Sequence, residues 1–260
     1  PHGPYEPPEP FRSAGTPEPP ATGGPALDLP AYWPADHRAV TDPAWLTARY
    51  EAEVAWTDSL VSRVLALARA HGGGREMVVV LTADHGESLT EHGILFDHGD
   101  DLYDPALRVP LILAAPDLLP RRVPCQVPAV DVQPTLLDLL GLDGAGPDGV
   151  SQLAVARGAT CTHRDAFAST VAARREDPPV DHALRWPHAK YVAHGEGDDS
   201  WYDLRADPEE LVNALSTTPD AAPMGELLRR QVARGAPIRA AAVDAQGQRL
   251  LEELGYVEPE

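Results

Sequence analysis

The stretch VVVLTADHGESLTEHGILFDHG, residues 78–99, decides the class of the fold and carries most of the candidate functional residues. An apolar run opens it, and three acidic-His-Gly triplets follow: Asp84-His85-Gly86, Glu91-His92-Gly93 and Asp97-His98-Gly99. A continuous apolar run without alternation is typical of a strand in a parallel sheet that is covered on both faces. Because ligand sites in open α/β sheets gather beyond the carboxyl ends of the strands, the first triplet marks a candidate site.

Asp84 and His85 are the candidate metal ligands of this loop. Gly86 gives the backbone freedom to turn, so a carboxylate oxygen and an imidazole nitrogen can both reach one cation. This pair suits Mn²⁺ or Zn²⁺, whereas His is a less usual ligand for Ca²⁺. The remaining ligands come from upstream residues or from this loop, which offers Glu91, His92, Asp97 and His98. The alternative is a solvated acidic loop whose carboxylates cap backbone N–H groups.

The segments around this loop predict an α/β fold. Asp42 as N-cap and Pro43 at the first helical position begin a long helix, which ends at the glycines of residues 72–74. A buried strand ends at residue 81, a second covers residues 109–114, and a helix covers residues 131–140. The order helix, strand, loop, strand, helix indicates part of a mostly parallel sheet flanked by helices.

The pattern changes in the C-terminal part of the chain, residues 161–260. Four short segments with partial alternation predict a small antiparallel sheet, followed by helices over residues 224–233 and 238–254. The first part, residues 1–160, begins with a loop segment, residues 1–43, that holds 12 of the 28 prolines. Proline fixes φ and lacks a backbone donor, so this segment is neither a regular helix nor a central strand.

Composition narrows the classes of function. The 260 residues include 40 Asp and Glu against 21 Lys and Arg, which gives a formal net charge of −19. A protein that binds nucleic acid by neutralising phosphates needs a basic face, so we exclude that class. No apolar run approaches the ~20 residues of a membrane span. The two cysteines, Cys125 and Cys161, are able to pair, but we expect two ordinary thiols.

The order of motifs along the chain resembles the C-terminal half of the sulfatase family, within the alkaline phosphatase superfamily. Residues 78–93, VVVLTADHGESLTEHG, resemble the family segment with the second pair of metal ligands, and residues 96–113, FDHGDDLYDPALRVPLIL, resemble the turn and strand after it. Residues 2–11, HGPYEPPEPF, resemble the loop with a substrate-contacting His. The later segments VDVQPTLLDLLGL, DGVSQL, WYDLRADPEELVNAL and LEELGYVEP match in the same order. The resemblance implies a metal-dependent hydrolase of sulfate esters.

The resemblance implies roles for four residues. Asp84 and His85 align with a metal pair in which many sulfatases have Asn second, so Ca²⁺ is the expected metal and Mn²⁺ the alternative. His2 aligns with a His that contacts the ester or assists the leaving group, a task that suits imidazole near neutral pH. His98 falls near a Lys that touches the sulfate and the leaving oxygen in many relatives. For His2 the competing reading is a histidine that stabilises its loop.

Neither cysteine fits the nucleophile of a sulfatase. The family oxidises the Cys or Ser of a C-x-P-x-R or S-x-P-x-R motif to formylglycine, but here the two cysteines begin CQVPA and CTHRD. We therefore expect a C-terminal fragment that is inactive alone, with formylglycine and the other metal ligands in a missing N-terminal half. The expected substrate of the whole protein is a sulfate ester of a small molecule or glycan.

Three alternatives stay open. The first is a phosphodiesterase or phosphonate monoester hydrolase of the same superfamily. The second is a catalytically inactive sulfatase-like protein that binds a sulfated or phosphorylated glycan. The third is an independent acidic metal-binding domain. The sequence leaves the compartment open, and the resemblance leans towards an exported or periplasmic protein.

Overall fold

The computed structural model describes residues 1–12, 26–29, 33–144, 146, 148–171, 180–219 and 221–235. They form two compact units that interleave along the chain. Among the described residues, one unit comprises residues 1–75 and 87–98, and the other comprises residues 76–86 and 99–235. The predicted division near residue 160 stays a prediction. The mixture of helices and sheets confirms the α/β class.

The first unit packs the proline-rich start of the chain against a long helix. Helix α1 covers Ala35–Arg38 and helix α2 covers Pro43–His71. As predicted, Asp42 caps α2 by accepting a hydrogen bond from the Ala44 N–H (2.9 Å), and the helix ends at Gly72. The buried residues of α2 lie in its first three turns, and the apolar residues Val54 and Val64 farther along are 44% and 64% exposed.

The second unit begins with a two-stranded ribbon. Strand β1, Val79–Thr82, pairs antiparallel with strand β2, Leu111–Ala114, so that Val79 faces Ala114 across the ribbon. The described residues therefore show no parallel pairing, and the expected mostly parallel, buried sheet is not seen here. A continuous apolar run predicts a buried strand, but it does not specify whether the neighbouring strand runs parallel or antiparallel. None of the eight ribbon residues is buried.

Three short helices belong to the second unit, one between the two ribbon strands and two after them. Helix α3 covers Asp104–Leu107, helix α4 covers Val132–Leu139, and helix α5 covers Leu153–Ala156. The predicted helix near residue 131 is thus confirmed. Asp131, the first residue of the predicted range, lies just before the helix, and its fully buried carboxylate accepts hydrogen bonds from Arg164 and Gln152.

The predicted small sheet is confirmed. Its strands are β3 (Ala166–Val171), β4 (Val180–Trp186), β5 (Ala189–Ala193) and β6 (Ser200–Asp203). They pair antiparallel in chain order, as expected of strands joined by short connections. Helix α6, Ala221–Arg234, confirms the first C-terminal helix and packs Met224 and Leu228 against the sheet. The second predicted helix, residues 238–254, lies outside the described residues.

Cys125 and Cys161 form a disulfide, with their Cα atoms 5.7 Å apart. The expectation of two ordinary thiols is therefore wrong. The two cysteines are 36 positions apart in the sequence, and only the folding of the chain between them brings them together. Within the described part of the chain, no helix combines the length and the apolar composition that crossing a membrane requires.

Candidate active-site residues

The side chains of Asp84 and His85 converge directly after strand β1. Oδ1 of Asp84 lies 3.8 Å from Nε2 of His85, and the Asp84 side chain is 79% exposed whereas that of His85 is 25% exposed. Two donor atoms at 2.3–2.6 Å from one Ca²⁺ lie at most ~5 Å apart, so this separation allows both to bind the same cation. The second unit thus presents an oxygen and a nitrogen on one side of the loop.

The protonation of His85 is also suited to metal binding. Nδ1 lies 2.8 Å from the carbonyl oxygen of Gly86 and is therefore the nitrogen that carries the proton. In the neutral form of this ring, Nε2, the nitrogen nearest to Asp84, carries the lone pair. Metal-binding histidines commonly donate their other N–H to a backbone carbonyl in this way, because the hydrogen bond fixes the tautomer and the ring orientation.

Gly86 allows the loop to pass close to helix α3. Its N–H donates to the carbonyl oxygen of Ala106 at 2.7 Å. A Cβ atom at this position would lie 1.9 Å from the carbonyl oxygen of Pro105. The glycine of the first triplet is therefore required by a close backbone approach, which holds the adjacent His85 in place.

The loop from Glu87 to His98 closes on itself in the first unit. Ser88 and Asp97 form an antiparallel bridge with reciprocal backbone hydrogen bonds of 3.0 and 3.1 Å. Glu91 accepts hydrogen bonds from the N–H groups of Leu89 and Thr90. Partial burial opposes ionisation of Glu91, but these backbone hydrogen bonds outweigh it and lower the pKa of the carboxyl. Glu91 therefore shapes the loop as an ionised cap.

His98 lies beside a buried carboxylate and a second imidazole. Its Nδ1 is 3.3 Å from Oε2 of Glu87, whose side chain is 1% exposed. On the same unit, the ring of His2 meets the His98 ring edge-on, with ring centroids 4.8 Å apart. Nδ1 of His2 lies 2.6 Å from the carbonyl oxygen of Gly3. The fold thus brings together the two histidines that are 96 positions apart in the sequence.

An aromatic cluster anchors the segment that carries His2. Tyr5 is fully buried and packs edge-on against Trp33, Tyr50 and Phe96. Its carbonyl oxygen accepts a hydrogen bond from Nε of Arg49 at 2.7 Å. Burial raises the pKa of the Tyr50 hydroxyl, and the charges of Glu87 and Glu91 raise it further. The proline-rich start is therefore docked on an aromatic core, and the carboxylates of Glu87 and Glu91 lie near enough to act on Tyr50.

The four candidate site residues thus form two pairs, Asp84 with His85 and His2 with His98, and the pairs belong to different units. Their catalytic and metal-binding roles stay predictions. Sequence reasoning missed Glu87, the carboxylate next to His98. The triplet pattern drew attention to the acids that directly precede each His, whereas Glu87 meets His98 only because Ser88 and Asp97 pair.

Comparison of the amino-acid sequence with known proteins shows which family this chain is similar to. The sulfatase family model matches residues 1–142, more than half of the chain. A sulfatase from Formosa agariphila is 27% identical over 207 residues, which cover 78% of this chain and 39% of that protein. This chain thus spans about two fifths of the length of that relative.

Solved structures show the same fold at lower identity. The phosphonate monoester hydrolase of Agrobacterium radiobacter aligns with a TM-score of 0.62 and 23% identity, over 74% of this chain and 41% of that chain. A protein solved in complex with D-glucosamine-2-N,6-O-disulfate aligns with a TM-score of 0.61 and 23% identity, over 73% of this chain and 40% of that chain. Both similarities concern the fold.

Proposed function

This chain belongs to the sulfatase family, and we propose that it is the C-terminal part of a metal-dependent hydrolase of sulfate esters. The observation that carries the proposal is the convergence of Asp84 Oδ1 and His85 Nε2 to 3.8 Å in the matched segment. A carboxylate and a neutral imidazole on one side of a loop are a ligand pair for a divalent cation. We propose Ca²⁺ as the metal and Mn²⁺ as the alternative.

Each residue has a definite task in this proposal. Asp84 and His85 hold the metal, and a bound divalent cation supplies charge stabilisation for the anionic ester. His98 and His2 contact the substrate, and a protonated imidazole there donates a proton to the departing alkoxide oxygen. The covalent step requires a nucleophile, formylglycine in this family as the resemblance implies, and we place it with the remaining metal ligands in the N-terminal half of the domain.

The substrate that we propose is a sulfate ester of a sugar or another small alcohol. The fold neighbour solved with a disulfated glucosamine supports a sulfated sugar. A phosphonate or phosphate ester is the second candidate, because the Agrobacterium hydrolase shares the fold. Because the chain carries a formal net charge of −19, a bound divalent cation would supply the positive charge that attracts either anion.

The experiment has two arms. In the first arm, the whole gene that encodes this chain is expressed with formylglycine formation and assayed with an aryl sulfate and an aryl phosphonate. We expect turnover of the sulfate, and a drop of at least 10³-fold in kcat/KM for Asp84→Asn and His85→Ala. Faster turnover of the phosphonate transfers the proposal to the second candidate, and full activity of either variant contradicts the metal assignment.

In the second arm, the 260-residue chain alone is assayed and is titrated with Ca²⁺ and Mn²⁺ by calorimetry. We expect no turnover of the aryl sulfate, because the proposal places the nucleophile and further metal ligands in the N-terminal half of the domain. Robust turnover by the chain alone contradicts the proposal that the nucleophile and the other metal ligands lie in the N-terminal half. Asp138→Asn, an exposed carboxylate that accepts a hydrogen bond from Ser151, is the control for loss of one negative charge.

A further inference from the structure

Three polar side chains at one end of the C-terminal sheet form a continuous chain of hydrogen bonds. Nδ1 of His194 lies 2.8 Å from Oδ2 of Asp181, and Nε2 of the same ring lies 3.1 Å from Oγ of Ser200. All three residues belong to the second unit, and none of them belongs to the two pairs described above. A carboxylate, an imidazole and a hydroxyl in this order are the groups of a serine nucleophile with its base and orienting acid.

The register of the sheet brings these residues together from three strands. Asp181 of β4 and His194, the residue after β5, lie opposite each other just beyond the last residue pair of these two strands. Ser200 begins β6 and faces Val192, two positions before His194. Because alternate residues of a strand share a face and diagonal neighbours lie within reach, the three side chains meet on one face of the sheet.

The hydrogen bonds define the role of each group. An ionised carboxylate only accepts, so Nδ1–H of His194 donates to Asp181. In the neutral form of the ring, Nε2 carries the lone pair and accepts from the hydroxyl of Ser200. Oδ1 of Asp181 accepts from the N–H of Gly195 at 2.8 Å, which ties the carboxylate to the backbone beside the imidazole. The imidazole is therefore oriented to take the proton of the hydroxyl.

Asn213 supplies an N–H donor next to this hydroxyl. Its Oδ1 accepts hydrogen bonds from the N–H groups of Trp201 and Leu215, both at 3.1 Å, and this fixes which end of the amide carries the donors. Nδ2 lies 3.2 Å from the carbonyl oxygen of Asp199 and 3.4 Å from Oγ of Ser200. Donors that stabilise a tetrahedral oxyanion act at about 2.7–3.1 Å from that oxygen, which forms beside the nucleophile.

The exposure of these side chains limits the size of the substrate. The side chains of His194 and Asp181 are 27% and 24% exposed, whereas Ser200 is 7% exposed. The imidazole therefore borders solvent, while the hydroxyl offers only a small surface. A small acyl group fits such a hydroxyl, and a bulky one does not.

We propose that Ser200, His194 and Asp181 form a second active site that hydrolyses carboxylic esters of small acids such as acetate. Oγ of Ser200 attacks the carbonyl carbon while Nε2 of His194 takes its proton, and this proton passes to the leaving alkoxide as the C–O bond breaks. Water then attacks the acyl group, gives a proton to Nε2 and displaces Oγ, which regains its proton. The products are the carboxylic acid and the alcohol, and Asn213 stabilises the oxyanion of both steps.

The first test is covalent labelling of the protein expressed from the whole gene. Methanesulfonyl fluoride is a small reagent that modifies an activated serine, because an Oγ–S bond forms and fluoride leaves. Peptide mass spectrometry should locate the adduct on Ser200, and His194→Ala should lower the labelling rate at least 100-fold. Ser169→Ala is the matched control and should leave labelling unchanged. Oγ of Ser169 also contacts an imidazole, Nδ1 of His182 at 2.7 Å, but no carboxylate in the described part of the chain bonds to that ring.

The second test measures hydrolysis of p-nitrophenyl acetate by the same protein and its variants, with circular dichroism to verify that each variant folds. Ser200→Ala should lower kcat/KM at least 100-fold, and Asp181→Asn about 10- to 100-fold, because the imidazole loses its orienting acid. Asn213→Asp keeps an acceptor for the two backbone N–H groups but removes the donor. It should lower kcat about 10- to 100-fold.

The outcomes separate this inference from the proposed sulfate ester hydrolysis, on which it does not depend. An unlabelled Ser200 in the folded wild-type protein overturns the inference, and so does labelling that His194→Ala leaves unchanged. Ester hydrolysis that persists in Ser200→Ala overturns it as well, since the activity then belongs to another site. Ester hydrolysis that requires Ser200, in a protein without sulfatase activity, supports the inference and contradicts only the proposed function.

Discussion

The ammonium nitrogen of Lys190 lies 2.7 Å from Oε1 of Glu210, and neither side chain has exposed surface. The same ammonium lies 2.6 Å from Oδ1 of Asp104 and donates to the carbonyl oxygen of Leu102 at 3.0 Å. Glu210 in turn accepts a hydrogen bond from the N–H of Asp104. One buried cation thus joins strand β5, the start of helix α3 and the segment after β6.

We expect Lys190→Met to lower the free energy of unfolding of the chain by about 3–5 kcal/mol, because it removes the cation that faces the buried carboxylate of Glu210. The double variant Lys190→Met/Glu210→Gln should lose less than the sum of the single changes. Chemical denaturation followed by circular dichroism measures these energies. Arg230→Met removes the exposed ion pair with Glu226 and should cost less than about 1 kcal/mol. If Lys190→Met and Arg230→Met lowered the free energy of unfolding equally, the stabilising role of the buried Lys190 ammonium would be contradicted.

The lowered pKa of Asp104 should make the free energy of unfolding depend on pH. Burial opposes its ionisation, but hydrogen bonds from Arg185 and the charge of Lys190 outweigh burial and lower the pKa of Asp104 from 3.8 to about 2. A carboxyl with a lowered folded-state pKa contributes stability above its unfolded pKa, and this contribution is lost as the pH falls through the folded value. We expect Asp104 to account for a loss on the order of 2 kcal/mol between pH 5 and pH 2.

The measurement compares the pH dependence of unfolding for the wild type and Asp104→Asn. The amide variant should be less stable at pH 6, and the gap between the two proteins should narrow as the pH approaches 2. Asp117→Asn is a suitable reference, since its carboxylate pairs with Arg157 at the surface. A gap for Asp104→Asn that stays constant over this range would show that the carboxylate does not titrate as described.

The Cys125–Cys161 bond should contribute measurable stability. It joins cysteines 36 positions apart, and the chain-entropy model gives a stabilisation of about 4 kcal/mol for a loop of this length. We expect Cys125→Ser/Cys161→Ser to lose this amount relative to the oxidised protein. Peptide mass spectrometry without reductant should recover the linked pair. Two titratable thiols in the native protein from an oxidising compartment would contradict the pairing.

Gly86→Ala should disturb the candidate metal ligands. The added methyl group meets the carbonyl oxygen of Pro105, so the segment that carries His85 must shift, at a cost of about 2–3 kcal/mol. We expect at least tenfold weaker Mn²⁺ binding by calorimetry. Gly93→Ala is the matched control, because Gly93 has a φ of +77° and open space around its Cα. Its cost is backbone strain of about 1–2 kcal/mol, with Mn²⁺ affinity retained.

Local sequence patterns predicted where the main helices and strands lie along the chain. Asp42 and Pro43 predicted the start of α2, and Gly72 predicted its end, because capping and proline geometry act within a few residues. Alternation and turns predicted all four strands of the C-terminal sheet. The acidic-His-Gly triplets likewise marked Asp84 and His85 as neighbours at a strand end, where their side chains do converge.

The α/β class, the order of the elements and the position of the acidic-His-Gly loop could be predicted from the amino-acid sequence, since these follow from periodicity, caps and chain neighbours. The folded structure was needed to see that β1 pairs antiparallel with β2, that Cys125 is bonded to Cys161, and that Glu87 lies beside His98. Each of these depends on which distant segments lie side by side. Register and long-range packing set those contacts, and a residue's immediate neighbours in the chain do not encode them.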